Sequence, residues 1–323
     1  MGGATTRPRA SLLARYPFLP ALGILVLLLA LNGLAEPNAL SYRALRGLVS
    51  TYLALMLLAV AQGFVVFAGD IDLSVGAILS LVNVSVVMAM QVLGGSPAMV
   101  LLSCGLGVLI GLGCGVFNGV MIAGLRLQPI VATFATSILF TGMALWVLPV
   151  AGTPVPTVYW RTYGGTVLGL PFVFFVVAGL AVLIYLLART RLVTQLLAVG
   201  DDQQAAFQSG LPVTRIRIKG YALCGVFSAL AALCISGDTA SGDPLVGGAM
   251  TLYSVAAVVL GGTALSGGTG SALGSVFGAL IIGLISSLVF FVGTPSQWQN
   301  LVQGLTILAA LMAGILLSRR VRR

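Results

Sequence analysis

Long runs of apolar residues, separated by short polar turns, form the main pattern along this chain. Two examples are FLPALGILVLLLALNGLA at 18–35 and FVFFVVAGLAVLIYLLA at 172–188. Each is close to the ~20 residues of a membrane-crossing helix and lacks the alternation of a strand. We predict an all-α polytopic membrane protein of about ten transmembrane helices, some of them broken. The predicted spans are 17–35, 46–68, 72–92, 97–124, 130–150, 170–188, 218–237, 250–265, 271–292 and 299–317.

The basic residues predict how these spans are oriented. If the N-terminus is cytoplasmic, thirteen of the 16 basic residues lie inside, and only Arg43, Arg46 and Arg161 lie outside. This is the distribution expected from the positive-inside rule, so we predict that both termini are cytoplasmic. The predicted parts are a cytoplasmic tail, 1–16, a single transmembrane domain, 17–317, with an inner loop at 189–217, and a basic cytoplasmic tail, 318–323.

Composition supports the membrane assignment and narrows the chemistry. The chain is 59% hydrophobic and 7% charged, whereas soluble domains carry about 25% charged residues. It has no histidine, and its four cysteines lie in apolar segments without a CxxC pair, so we predict neither a metal site nor a cofactor. The net charge of +9 indicates attraction to anionic membrane lipid rather than to nucleic acid.

Two aspartates interrupt the apolar pattern in VVFAGDIDLSVGAILS, residues 65–80. A carboxylate at the bilayer centre costs roughly 2.5–3.5 kcal/mol, so their position needs a reason. Gly69 ends the preceding helix, and we predict that Asp70 caps the next helix, with Asp72 in its first turn and Ser74 one turn from Asp70. We expect these four residues to form a tight hairpin near the inner face and to contribute to a cytoplasmic gate.

A glycine-rich segment near the C-terminal end has a similar layout. The apolar run 250–260 is followed by GGTALSGGTG at 261–270, and then by another apolar run. Irregular backbone at membrane depth is tolerated only where it is buried in protein or lines a cavity. We therefore predict a broken helix here, marked by Gly261, Gly262, Gly267 and Gly268.

The inner loop 189–217 is the most polar stretch of the chain. It predicts a short helix, QQAAFQS, with Asp201 or Asp202 as N-cap and with Gly210 and Pro212 as stop signals. Such a helix is too short to be stable alone in water. We interpret it as a surface that binds another protein; an ordinary solvated linker is the alternative.

The chain lacks the residue patterns of a catalytic site, which indicates a transporter rather than an enzyme. It has no nucleophile paired with a base and no phosphate-binding loop. Movement of a solute could be driven by a partner, by an ion gradient acting through Asp70 and Asp72, or by diffusion through a passive channel. Candidate residues of the translocation path are polar residues within spans, each of which could instead join two helices by a hydrogen bond: Asn83, Asn118, Thr133 and Ser137.

Four segments together resemble the ribose-type sugar permeases of ATP-binding-cassette importers. They are AGDIDLSVGAILSL (68–81), NGVMIAGLRLQPIVATFATSILFTGMAL (118–145), LLAVGDDQQAAFQSGLPVTRIRIKGYALCG (196–225) and AAVVLGGTALSGGTGSALGSVFGALIIG (256–283). The resemblance covers about 20–317, although the outer loop at 151–169 is shorter than in many relatives. It implies a bacterial inner-membrane permease that imports a monosaccharide such as ribose, xylose or galactose.

The resemblance also implies partners and a coupling segment. The partners would be a cytoplasmic ATPase subunit, a periplasmic sugar-binding protein, and a second copy of the permease or a sibling permease. The ATPase would dock on the inner loop, where the positions assigned to coupling are Gly200, Asp201, Asp202, Ala205, Ala206, Ser209 and Gly210.

Overall fold

The protein is described from a computed structural model that covers residues 17–295 and the helical positions 298, 301, 302, 304, 305, 308 and 312. Both predicted tails, 1–16 and 318–323, and most of the predicted span 299–317 lie outside these residues. Twelve α-helices are present within 17–295. Their bounds are α1 Leu19–Ala35, α2 Tyr42–Phe67, α3 Val75–Leu93, α4 Pro97–Gly119, α5 Pro129–Val147, α6 Thr157–Gly164, α7 Phe172–Arg189, α8 Arg191–Asp201, α9 Gln203–Gln208, α10 Val213–Thr239, α11 Met250–Leu260 and α12 Ala272–Phe291.

Seven helices of the described residues are long and apolar enough to cross a membrane, namely α2, α3, α4, α5, α7, α10 and α12. A π-helical turn, Val120–Gly124, extends α4. Two further apolar helices are shorter: α1 has 17 residues and α11 has 11. The fold is therefore that of a mostly helical, multi-pass membrane protein.

Helices α2 and α10 form the centre of the bundle. Every residue of α2 from Leu53 to Phe67 is buried, as expected for a helix that is apolar all round and surrounded by other helices. Helix α10 packs against α2, α3 and α4, while α12 packs against α1, α2 and α11. By contrast, only 28% of the α5 window and 17% of the α7 window is buried, which is expected for helices that face lipid.

Glycines allow a close helix contact between α4 and α10. A Cβ on Gly111 would lie 2.5 Å from the carbonyl oxygen of Gly225, and a Cβ on Gly225 would overlap the carbonyl oxygen of Gly111. Small residues at such crossings let two backbones approach directly in a membrane. This contact fixes α4 against the centre of the bundle.

Within residues 17–295, short strands occur in the loop that carries α6 and in the segment after α10. Strand β1, Thr153–Pro154, pairs antiparallel with β4, Ser241–Gly242. Strand β2, Thr166–Val167, pairs with β3, Leu170–Pro171. The β1–β4 pairing ties the loop that carries α6 to the C-terminal end of α10, while the β2–β3 pairing lies within that loop.

Candidate functional site

The hairpin between α2 and α3 forms where predicted, but the predicted capping arrangement is wrong. Gly69 has φ +83°, the left-handed region that glycine adopts without steric cost. Helix α3 begins at Val75 after Ser74, so Asp70 and Asp72 both precede it. The sequence pattern placed the cap too early because it could not show that the Asp70 carboxylate has a partner on a distant helix.

That partner is Arg217, in the first turns of α10. Its Nη2 donates to Asp70 Oδ2 at 2.7 Å and to Oδ1 at 2.9 Å, and its Nε donates to Oδ2 at 3.1 Å. Tyr221, one turn further along α10, donates its hydroxyl to Oδ2 at 3.3 Å. Both charged side chains are largely buried, with exposures of 13% for Arg217 and 8% for Asp70. The forked geometry is the strong form of an arginine–carboxylate pair, and it fixes the hairpin to α10.

Asp72 is fully buried and is held by neutral groups. Its Oδ1 accepts from the backbone N–H of Ser74 at 2.7 Å and from the Ser74 hydroxyl at 2.6 Å. Asn118 of α4 in turn donates to the Ser74 hydroxyl at 2.7 Å. With its amide oriented to satisfy both atoms, Gln62 pairs with the Asp72 backbone, donating to its carbonyl at 3.0 Å and accepting from its N–H at 3.1 Å. These contacts satisfy a polar turn that would otherwise be unpaired inside the bundle.

The two carboxyl groups differ in their electrostatic surroundings. Burial raises the pKa of the Asp72 carboxyl, and the hydrogen bonds from Ser74 oppose this rise. Burial also raises the pKa of the Asp70 carboxyl, but there the Arg217 guanidinium opposes the rise by its charge as well as by its hydrogen bonds. Asp70 therefore belongs to an ion pair, while Asp72 is a carboxyl group within a neutral hydrogen-bond network.

The inner loop contains the predicted short helix, preceded by a second helix that the sequence pattern did not reveal. Of the two candidate N-caps, the structure selects Asp202, whose Oδ1 accepts from the N–H groups of Gln204 at 2.8 Å and Ala205 at 2.9 Å. Helix α9 follows and ends near Gly210, which has φ +80°. Its Phe207 side chain is 71% exposed, so α9 presents a large apolar side chain outward.

Replacement of Asp202 by alanine is expected to destabilise α9 by about 1 kcal/mol, because two N–H groups lose their acceptor. Hydrogen exchange of the α9 amides measures this change. Asp201→Ala is the matched control, since the Asp201 side chain makes no hydrogen bond within the described residues. Equal exchange in the two variants would contradict the assignment of the cap.

Three loops meet at glycines, forming a contact that we call the glycine junction: Gly69 of the hairpin, Gly200 of α8, and Gly267 and Gly268 of the glycine-rich segment. The Gly268 N–H donates to the Phe67 carbonyl at 3.3 Å. A Cβ on Gly200 would overlap that same carbonyl oxygen and would lie 2.7 Å from the Gly268 nitrogen. Backbone therefore touches backbone here, and the three loops that the sequence singled out separately form one contact.

The other two predicted positions, Gly261 and Gly262, begin the same glycine-rich segment, directly after α11. The segment is non-helical between α11 and α12, and Gly262, Gly267 and Gly268 have φ values of +87°, +83° and +76°. A Cβ on Gly261 would overlap the carbonyl oxygen of Gly274 on α12. The break between the two helices is therefore built from close backbone contacts and left-handed glycines.

The four candidate path residues occupy different environments. Asn83 donates to Ser236 at 2.6 Å and accepts from the Asp243 N–H at 2.7 Å, joining α3 to the end of α10. Thr133 of α5 is fully buried and accepts from the N–H of Leu73 in the hairpin at 3.0 Å. Asn118 supports Ser74, as described above. Ser137 of α5 is half-buried, and within the described part of the chain its hydroxyl bonds only to its own helix, at the Phe134 carbonyl. A path role for each of them stays a prediction.

Arg217, Tyr221 and Gln62 were missed by the sequence analysis. Arg217 lies in the basic run TRIRIK, which the positive-inside rule had already accounted for. A glutamine within the otherwise apolar run LALMLLAVAQGFVVF, residues 53–67, is unusual, and this was the available signal for Gln62. The pairings themselves cross up to 151 residues of sequence, so no local pattern contains them.

Comparison with known proteins agrees with this architecture. Residues 44–311 match the model of the family described as branched-chain amino acid transport system / permease component. The chain is 35% identical over 300 residues to the ribose import permease protein RbsC of Bacillus subtilis, covering 91% of each chain. It is 31% identical over 298 residues to the autoinducer 2 import system permease protein LsrC of Yersinia enterocolitica, covering 90% of this chain and 81% of that protein. No solved structure matches it.

A multi-pass helical bundle with these matches is a membrane permease. More closely, the chain belongs to the branched-chain amino acid transport system / permease component family, and within it to the ribose-type sugar permeases of ATP-binding-cassette importers. This confirms the family assignment made from the four motif segments.

Proposed function

We propose that this protein is the membrane subunit of an importer that moves a ribose-like monosaccharide into the cytoplasm, driven by ATP hydrolysis on a separate subunit. The observation that carries the proposal is the glycine junction, which connects the inner loop to the hairpin and to the broken helix. The ribose import permease to which the chain is similar supports a sugar of that class.

Helices α8 and α9 are the proposed docking site of the ATPase. Phe207 offers an exposed apolar side chain, and buried Ala206 anchors the same helix to the protein. Large apolar side chains surrounded by polar surface commonly mark protein–protein contacts. Movement of α8 would reach Gly69 and Gly268 directly, because no side chain separates these backbones.

The topology that accompanies this function is also a proposal. We place the hairpin, the inner loop and both termini on the cytoplasmic face of a bacterial inner membrane, with ten spans in total. The hairpin with Asp70 and Asp72 then lies where a cytoplasmic gate is required. A periplasmic sugar-binding protein would dock on the α6 side, and a second permease copy or a sibling permease would complete the path near Ser137.

Ion coupling through the two aspartates is the competing hypothesis from the sequence. The structure does not favour it, because Asp70 is already paired with Arg217 and Asp72 is enclosed by Ser74, Asn118 and Gln62. A carboxylate that carries an ion in alternation needs access to one side or the other. Asp72 has 0% exposure, so its carboxylate lacks this access.

The proposal is tested by uptake of labelled ribose into proteoliposomes that contain the chain, its ATPase and its binding protein. We expect uptake only with ATP on the ATPase side, and no effect of an ionophore that collapses ion gradients. An ATPase variant unable to hydrolyse ATP is the control. Accumulation of sugar by the chain alone would contradict the proposal.

The substrate is resolved by competition in the same assay. Unlabelled ribose, xylose, galactose and autoinducer 2 are added in excess, the last because a second relative is named for its import. We expect ribose to compete best. Stronger competition by autoinducer 2 would keep the ATP-driven mechanism and replace the proposed substrate.

A further inference from the structure

An apolar slot of about 630 Å³ lies between part of α7 and the rest of the bundle. We call it the α7 slot. Its walls come from α4, α6, α7 and α10, and Leu57 of α2 also lines it. Among the apolar side chains that line it are Val100, Leu101, Val176, Leu180, Leu230 and Leu233.

A space of this size and character needs an apolar occupant. Protein interiors are close-packed and contain few voids larger than a water molecule. Water does not fill such a space either, since an engineered apolar cavity of about 150 Å³ stays dry and instead binds benzene. Leu101 on one wall is 74% exposed and Gly179 on the opposite wall is also exposed, so the slot communicates with the membrane-facing surface.

The depth of the slot matches one leaflet of a bilayer. From Phe172 at the start of α7 to Leu183, eleven residues at 1.5 Å each span about 16 Å. Half of a typical hydrocarbon core is about 15 Å. On α2, Arg46 lies level with the end of α6 and Leu57 lies eleven residues deeper, which gives a similar distance.

Polar groups are found at the shallow end of the slot. The Tyr163 ring packs against Phe172 with centroids 6.3 Å apart, and its hydroxyl is buried beside Ser50 and Cys234. Arg46 donates Nη2 to the Gly164 carbonyl at 3.0 Å, which holds its guanidinium beside Tyr163. Asp238 lies nearby and accepts from Ser50 at 3.0 Å. The rest of the lining is mainly apolar, and its Tyr159 hydroxyl already donates to the Leu233 carbonyl at 2.7 Å.

We propose that the α7 slot binds one acyl chain of a membrane phospholipid. The hydrocarbon would fill the slot, and Arg46 would face the phosphate at its shallow end. The depth and apolar lining of the slot fit a hydrocarbon chain, and the charge of Arg46 fits an anionic group at one end of that chain. The lipid would hold α7 against the bundle, and α7 leads directly into α8.

The test measures lipid retained by the full-length chain. Protein is extracted from membranes, reconstituted with a defined phosphatidylethanolamine–phosphatidylglycerol mixture, washed in detergent, and analysed by native mass spectrometry. We expect one bound phospholipid per chain in the wild-type protein. In Gly179→Leu, where an added Cβ meets no atom within 4 Å, the new side chain would extend into the slot and lower retention at least fivefold.

Ala181→Leu is the matched control, since it adds a leucine to the exposed side of the same helix and is expected to retain the lipid. Val176→Phe, on the slot wall one turn nearer Tyr163, is a second blocking variant if Gly179→Leu does not fold. Equal retention by the blocking variants and the control would overturn the proposal. The proposal would also be overturned if the wild-type protein carried no lipid, or if a second copy of the chain occupied the slot in place of the lipid.

Discussion

Gly200→Ala is expected to lower ATP-driven uptake at least tenfold, although the protein still inserts into the membrane. The reason is steric: a methyl group at this position would overlap the Phe67 carbonyl oxygen and approach the Gly268 nitrogen to 2.7 Å. Both contacts are backbone atoms, which cannot rotate away as a flexible side chain would. Relief therefore requires α8 to move away from the hairpin, which breaks the proposed connection between ATPase and gate.

The measurement is uptake together with ATP hydrolysis in the reconstituted importer. We expect hydrolysis to continue without transport, because the docking helix α9 is unchanged. Gly105→Ala is the matched control, since a Cβ there meets nothing within 4 Å on the exposed face of α4. Normal uptake by Gly200→Ala would exclude the glycine junction as the coupling contact, and loss of both activities would indicate a defect in docking or folding instead.

Asp70→Asn is expected to lower the free energy of unfolding by about 3–5 kcal/mol. The variant keeps the size of the side chain but leaves the largely buried Arg217 guanidinium without its carboxylate, and an unpaired buried charge is costly. Arg217→Gln should have a comparable effect for the same reason. Arg215→Gln, two residues earlier on an exposed position of α10, should be close to neutral. Thermal or denaturant unfolding in detergent measures these differences.

The double variant Asp70→Leu with Arg217→Met separates stability from gating. Replacing both members of a buried ion pair with apolar residues is often neutral or stabilising, so most of the lost stability should return. If the pair is part of the gate, uptake should stay low in this stable protein. Full recovery of uptake would show that the pair only holds the hairpin in place.

The apolar pattern predicted most of the helices because a membrane-crossing helix must satisfy its own backbone hydrogen bonds, a requirement that each segment meets locally. The bounds of α2, α3, α5 and α12 differ from the predicted spans by a few residues. The predicted start of the seventh span at 218 was too late, since α10 begins at Val213, and α8 was not predicted. Both differences occur where polar residues continue a helix beyond the membrane, so the hydrophobic pattern ends before the helix does.

The candidate site was predicted as separate pieces. The sequence identified Gly69, Asp70, Asp202 and the glycine-rich segment, since glycine, capping residues and membrane aspartates each carry a local physical meaning. It could not show that Gly200 and Gly268 both contact the Phe67 carbonyl. Nor could it show that Asp70 pairs with Arg217 instead of capping the N-terminus of α3. Those facts depend on which helices pack side by side.

By itself, the sequence determined that this chain is a polytopic helical membrane protein of the ribose-type permease family, with a hairpin, an inner loop and a broken helix of special composition. The tertiary structure decided that these three features meet at one glycine junction, that the hairpin is tied to α10 by an ion pair, and that an apolar slot lies between part of α7 and the rest of the bundle. The physical reason is that composition and periodicity act within a segment, whereas backbone contacts, ion pairs and cavities arise only between segments distant in sequence.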